Sequence, residues 1–113
     1  MRVPVLPAGV AVELASTRSA RRRGLRGRVR VDGVMVLAPC RQVHTFGMRC
    51  AIDVAFVARD GEVLRVVTME RGRLSRVVWR SRIVLEGPAG GLASWGITRG
   101  IRLPMREHAR RAP

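Results

Sequence analysis

The sequence predicts a mainly β fold, a small antiparallel β-barrel or sandwich with one or two short helices. Apolar runs of about five residues recur between turn signals along the 113-residue chain. Two of these runs flank Asp60-Gly61, a dipeptide typical of tight hairpins. Apolar residues make up 47% of the chain, which is enough for a core without disulfide staples.

The first predicted strand covers residues 10–14, where apolar side chains stand at every second position. Ser16 or Thr17 is expected to cap a short helix that ends at Arg23, with Gly24 providing a left-handed exit. The arginines in the last turn of this helix suit its dipole, and we interpret them mainly as a solvated helix end.

The hairpin around Asp60-Gly61 is the clearest signal in the chain, because apolar residues alternate on both sides of it. A two-residue type I′ turn is expected there. Such a turn would place Arg59 opposite Glu62 and Asp53 opposite Thr68.

Short apolar or small-residue runs predict the other elements. They are a buried strand at 34–38 stopped by Pro39, a loop with one helical turn at 71–81, a strand at 82–86, a compact helix at 89–97 with Gly90 at its turn, and a last strand at 100–104.

We expect one domain over residues 1–113, with a core at about 10–103 and a frayed basic tail at 104–113. No run of about 20 apolar residues is present, so no membrane span is expected. Pro4, Pro7 and Glu13 interrupt the N-terminal segment, which we interpret as structure and not as a signal peptide. The expected location is therefore the cytoplasm.

The charge is strongly positive, with 22 basic residues against eight acidic ones and a formal net charge of +14. All of the basic residues are arginine, which a GC-rich genome would produce, so we expect nucleic acid to bind only non-specifically at low salt. Without lysine, a P-loop and a Schiff-base enzyme are both excluded.

The stretch from Pro39 to Phe56 holds both cysteines and one of the two histidines. Cys40, His44 and Cys50 are candidate zinc ligands, but C-x₃-H-x₅-C is not a common zinc spacing and a fourth ligand is missing. We therefore predict no metal and no other cofactor. A buried turn, a disulfide and a reactive Cys40 thiol with His44 as its base remain open alternatives.

Two acidic residues lie in apolar surroundings and need partners if they are buried. Asp53 interrupts a strand, and Arg49 or Arg28 is expected to pair with it; the alternative is an acid–base pair with His44. Glu86 is expected to cap a backbone amide or pair with an arginine, and otherwise to line the same cleft.

Three segments resemble a bacterial and archaeal family known as domain of unknown function 192. They are "TRSARRRGLRGR", "VMVLAPCRQVHTFGMRCAIDVAFVARDGEVLRVV" and "IVLEGPAGGLASWGI". The resemblance covers about residues 10–103. It implies a compact, mostly antiparallel β domain, and it implies no enzyme activity because the family has no established one.

Our favoured interpretation is a non-catalytic binding or accessory module with a polar groove. The groove would recognise an anionic small molecule or a peptide segment of a protein partner. Its predicted residues are Cys40, His44, Met48, Arg49, Asp53 and Glu86. The alternatives are a small hydrolase or thiol-dependent enzyme that uses Cys40, His44 and Asp53, and, less favoured, a basic nucleic-acid-binding protein.

Overall fold

A computed structural model of the protein describes residues 1–28 and 31–108. These residues form a mainly β structure with two short helices, as predicted. The elements in chain order are β1 (Arg2–Pro4), β2 (Val12–Ala15), α1 (Arg18–Arg23), β3 (Val34–Leu37), β4 (Ile52–Ala58), β5 (Val63–Met69), β6 (Ser81–Pro88), α2 (Gly91–Ser94) and β7 (Met105–Glu107).

The strands form two sheets. The larger has the order β2-β3-β6-β4-β5, and the smaller pairs β1 with β7. Within the described residues neither sheet closes into a barrel, so the arrangement is sandwich-like. β2 and β3 run parallel, joined through α1, whereas the other strand pairs are antiparallel. A parallel pair needs a crossover connection, and the predicted helix supplies it.

Both faces of the larger sheet are covered, so β3 and β4 are buried throughout, and β6 is buried except at Arg82 and, in part, Pro88. On one face Ile52, Val54 and Phe56 pack with Leu25 and Met48, which come from the segments after α1 and before β4. On the other face the remaining β4 side chains pack with α2 and the segment that follows it. Burial on two faces explains why β3 and β4 are almost continuously apolar.

The β4–β5 hairpin turns differently from the prediction. The backbone N–H of Ala58 donates to the Glu62 carbonyl at 2.9 Å, which leaves three residues in the loop. Among the described residues only glycines have a positive φ, and Gly61 has a φ of 94°. A type I′ turn needs a positive φ at both central positions, so that prediction was wrong, as was the pairing of Arg59 with Glu62. A register shift after Phe56 compensates, and Asp53 does lie opposite Thr68.

Several other elements can be compared directly with their predictions. Thr17 caps α1 as predicted, by accepting a hydrogen bond from the Ala20 N–H. Gly24 ends the helix, but with a φ of 48° and a ψ of −130° it lies outside the left-handed helical region that was predicted for it. Gly90 is the N-cap of α2. No helix in the described part of the chain is long and apolar enough to cross a membrane.

The C-terminal half departs from prediction in two places. Residues 71–81 contain no helical turn and instead form a loop that reaches β6. In place of the strand predicted at 100–104 there is an isolated β-bridge between Arg102 and Glu62. The last strand in the described residues is β7, inside the segment expected to fray. Pairing with β1 orders this segment, while residues 109–113 of the predicted tail lie outside the described residues.

Asp53 connects the larger sheet to α2. Its side chain is buried, and its two oxygens accept hydrogen bonds from the Thr68 hydroxyl at 2.6 Å and the Leu92 N–H at 3.3 Å. Gly87 lies opposite Asp53 on β6, and a Cβ there would lie 3.1 Å from Leu92 Cδ2. The missing side chain therefore lets α2 approach closely enough to reach the carboxylate.

Replacing this carboxylate should destabilise the fold. In Asp53→Asn one acceptor oxygen becomes an N–H₂ group, which cannot accept the hydrogen bond of the donor facing it, either the Thr68 hydroxyl or the Leu92 N–H. One buried hydrogen bond is lost, and we expect the free energy of unfolding to fall by about 1–3 kcal/mol. Urea denaturation measures this loss, with the exposed Glu70→Gln as control. In a double-mutant cycle Thr68→Val should cost less in the Asp53→Asn background than in the wild type. Strictly additive losses would contradict this role for Asp53.

Candidate functional site

A pocket of about 480 Å³ opens between the C-terminal end of α1 and residues 39–48. Five arginines line it, and we call it the arginine pocket: Arg21, Arg22, Arg23, Arg26 and Arg41. Buried apolar side chains, Leu25, Leu37, Val43 and Met48, line it as well. Four of the predicted groove residues border this pocket, namely Cys40, His44, Met48 and Glu86.

Backbone hydrogen bonds fix the start of the 39–48 segment to β6. The Cys40 N–H donates to the Arg82 carbonyl at 3.0 Å, and the buried Ser81 hydroxyl donates to the Cys40 carbonyl at 2.9 Å. The preceding Ala38–Pro39 peptide bond is cis. These contacts hold the Cys40 side chain at the border of the pocket.

Thr45 anchors the other end of this segment. It is fully buried, and its hydroxyl donates to the Glu70 carbonyl at 2.6 Å and accepts from the Arg73 N–H at 2.8 Å. Its backbone N–H donates to the Arg73 carbonyl at 2.8 Å. The loop at 70–76 therefore supports the turn, a role that the sequence did not reveal because a threonine in a polar stretch carries no distinctive pattern.

The opposite wall is joined to this segment by arginine contacts. One Arg21 nitrogen, Nη1, donates to the carbonyls of Ser16 and Ala38. The Arg26 stem lies across Gly47, where an added Cβ would be 2.6 Å from Arg26 Cδ. Only a glycine at position 47 therefore lets Arg26 lie against the turn.

Glu86 borders the pocket from the centre of the sheet. It pairs with Met35 on β3 and Val54 on β4, both of which belong to the apolar cluster on the pocket face. Its side chain is 4% exposed, and its Oε1 has no hydrogen-bond partner among the described residues. The predicted cap or arginine pair for this oxygen is therefore not formed. A Cβ at Gly24 would lie 3.1 Å from Oε1, so the glycine leaves room for the carboxyl.

Burial raises the pKa of Glu86 from 4.5 to about 7. Desolvation disfavours the charged form of a buried carboxyl, and here no neighbouring charge opposes that effect. Glu86 is consequently a neutral carboxylic acid at mildly acidic pH and half ionised near neutrality, so its proton is available as a hydrogen-bond donor.

The thiol and histidine do not form an activated pair. Burial raises the pKa of the Cys40 thiol, and the nearby Glu86 carboxyl adds to the effect. Its sulfur lies 3.3 Å from the Gln42 carbonyl oxygen, to which it donates. His44 Nδ1 accepts from the Phe46 N–H at 3.2 Å, and the two rings stack at 5.1 Å. A catalytic thiol needs a lowered pKa, so this geometry does not favour the thiol-enzyme hypothesis.

The candidate metal ligands also remain apart. Within residues 1–28 and 31–108, no three His, Cys, Asp or Glu side chains come close enough to hold a metal ion. Cys40 and Cys50 are free thiols, both half-buried.

Asp53 and Arg49 do not line the arginine pocket. Asp53 points to the opposite face of the sheet, towards α2, and therefore cannot form an acid–base pair with His44. Arg28, one of its expected partners, instead makes two hydrogen bonds to Glu13 at 2.7 and 2.9 Å.

The residues that the sequence interpretation missed are the arginines of α1. They were interpreted mainly as a solvated helix end; Arg22 and Arg23 are indeed exposed, and Arg21, Arg22 and Arg23 also lie on the pocket wall. The available signal was their position directly before the Gly24-Leu25 exit, where the buried Leu25 turns the helix end towards the sheet.

Glu86 should make the stability of the protein depend on pH. Its folded-state pKa lies above its ordinary value, so the neutral form is the one that folding favours, and stability falls as pH rises from about 4.5 through 7. Between pH 5 and pH 8 we expect the free energy of unfolding to fall by about 2–3 kcal/mol. Glu86→Gln should remove this fall and exceed the wild type in stability at pH 8.

Urea denaturation at pH 5, 6, 7 and 8 measures both proteins, with the exposed Glu70→Gln as control. Glu70→Gln should follow the wild-type curve. Parallel pH curves for the wild type and Glu86→Gln would show that the Glu86 carboxyl is already ionised and stabilised in the folded protein.

A comparison with curated proteins finds no match to the chain. Among solved structures, a protein from Sinorhizobium meliloti 1021 described as a "putative transcription regulator" is 24% identical, with a TM-score of 0.72 over 92% of each chain. A protein of unknown function from Novosphingobium aromaticivorans DSM 12444 is 21% identical, with a TM-score of 0.72 over 84% of this chain and 74% of that one. These likenesses establish the fold. The model of domain of unknown function 192, described as "Uncharacterized ACR, COG1430", matches residues 5–105, and the chain therefore belongs to this family.

Proposed function

We propose that the protein is a non-catalytic binding module that takes the oxyanion of a small organic molecule into the arginine pocket. The observation that carries the proposal is that five arginines line one pocket, which is also bordered by a buried carboxyl with an unpartnered oxygen. Guanidinium groups bind carboxylate and phosphate through paired, charge-assisted hydrogen bonds.

Two of the arginines are held in place before any ligand binds. Arg21 donates to two backbone carbonyls, and Arg41 Nε donates to the Trp79 carbonyl at 3.0 Å. Side chains that are already ordered lose less conformational entropy on binding, which favours affinity. This ordering supports a binding role over a merely solvated cluster of charges.

The apolar part of the lining supports a ligand with an apolar body. Leu25, Leu37, Val43 and Met48 border the pocket, and the half-exposed Phe46, stacked on His44, forms part of its wall. A bare inorganic ion would leave this apolar surface in water, whereas an organic anion would cover it.

Two findings favour binding over catalysis. The Cys40 thiol, whose pKa is raised, is a poor nucleophile, and Asp53 lies on the other face of the sheet. The pocket therefore offers charge, apolar contact and one neutral carboxyl, which are sufficient for recognition.

Binding of 2-naphthoate, an aromatic carboxylate, tests the proposal by calorimetry at physiological salt and pH 6. We expect binding by the wild type and about tenfold weaker binding by Arg22→Gln or Arg26→Gln, because each loses one charge-assisted hydrogen bond. Acetate, which lacks an apolar body, should bind more weakly than 2-naphthoate.

Arg99→Gln is the matched control, since it removes the same unit of charge but lies outside the pocket, beyond α2. Its affinity for 2-naphthoate should equal that of the wild type. An equal loss of affinity in Arg22→Gln, Arg26→Gln and Arg99→Gln would mean that net charge alone attracts the anion. Absence of 2-naphthoate binding by the wild type would contradict the proposal.

A further inference from the structure

The carboxyl of Glu86 is the one feature of the arginine pocket that anion binding by arginine does not explain. A negative charge beside an anion site would repel the ligand. Yet Glu86 borders the pocket and is 4% exposed, and its Oε1, which is closed off from solvent beside Gly24, has no hydrogen-bond partner in the described part of the chain. An unpaired buried polar group costs stability, so a glutamate here is a liability unless a ligand completes its hydrogen bonding.

We infer that Glu86 keeps its proton and donates it in a hydrogen bond to the ligand's oxyanion, so that the pocket binds organic acids together with a proton. The inference rests on the proposed function and deepens it. Glu86 then determines specificity, because its O–H donates a hydrogen bond to an acceptor oxygen of the ligand. A cationic ligand group has no acceptor for this O–H and is disfavoured.

The surroundings of Glu86 favour this protonation state. β3 and β4 present the apolar side chains of Met35 and Val54 beside it. No arginine charge acts on the carboxyl strongly enough to oppose its desolvation. A bound anion would add a negative charge nearby and hold the proton more firmly still.

The other charged and titratable groups at this pocket are the arginines of α1 and the 39–48 segment, together with Cys40 and His44. The arginines stay charged over the whole relevant range. The thiol titrates only at higher pH, since its pKa is raised above 9.0. His44 is the pocket residue with an ionisable ring, so a variant at this position is the control for Glu86.

The test is calorimetry of 2-naphthoate binding at pH 6 and pH 8. The apparent affinity of a site scales with the fraction in the competent state, so we expect the wild type to bind about tenfold more weakly at pH 8 than at pH 6. At pH 7, titrations in two buffers of different ionisation enthalpy should give an uptake of about 0.5 protons per ligand bound.

Glu86→Gln replaces the carboxylic acid with an amide that always donates. It should bind 2-naphthoate with the same affinity at both pH values and take up no proton. Glu86→Met, which has no donor, should bind about tenfold more weakly than the wild type at pH 6. His44→Gln should retain the pH dependence of the wild type.

The outcomes separate this inference from the proposed function. If the pocket arginine variants weaken binding but Glu86→Gln keeps the wild-type pH dependence, the pocket binds anions and the role of Glu86 is wrong. Loss of the pH dependence in His44→Gln, or tighter wild-type binding at pH 8, would also overturn the inference. If 2-naphthoate does not bind at all, both proposals fail.

Discussion

Burial of the central strands on both faces is the constraint on which the rest of the structure depends. β4 and the middle of β6 lie between two apolar clusters, so a polar side chain there is removed from water whichever way it points. Two carboxyls occur there, Asp53 and Glu86, on neighbouring residue pairs of the same ladder. Because the pairs are adjacent, the pleat sends the two carboxyls to opposite faces.

The two buried carboxyls differ in their hydrogen bonding. Asp53 meets two donors, and the glycine opposite it lets α2 approach. Glu86 lies among apolar side chains at the border of the pocket, and its Oε1 has no hydrogen-bond partner within residues 1–28 and 31–108. The hydrogen bonds of Asp53 account for its burial in the fold, whereas the unpaired oxygen of Glu86 is the observation from which the proposed ligand contact is argued.

The sequence predicted the features that depend on local pattern. The apolar runs predicted the strands, Thr17 and the Gly24-Leu25 pair predicted α1, and the alternation around Asp60-Gly61 predicted the hairpin. The pairing of Asp53 with Thr68 was predicted from a two-residue turn that does not form, and it occurs because the register shift after Phe56 compensates for the longer loop. Pairings between distant segments were not predictable from local pattern. Nothing local distinguishes the parallel edge of β2 on β3, the strand in the expected tail, or the face towards which Asp53 points.

The arginines differ in setting: all of them add to the net charge, but a few are held at fixed positions on the pocket wall. Arginine accounts for all of the positive charge, so composition alone gives no reason to single out any one of the 22. What distinguishes Arg21, Arg26 and Arg41 is their setting: backbone carbonyls hold two of them, and Gly47 accommodates the stem of the third. A field from the net charge is long-ranged and screened by salt, whereas a guanidinium held at a fixed position on the pocket wall acts over a few ångströms. The proposed recognition of an organic anion therefore rests on the positions of a few arginines, and the net charge adds only a screened, long-range attraction.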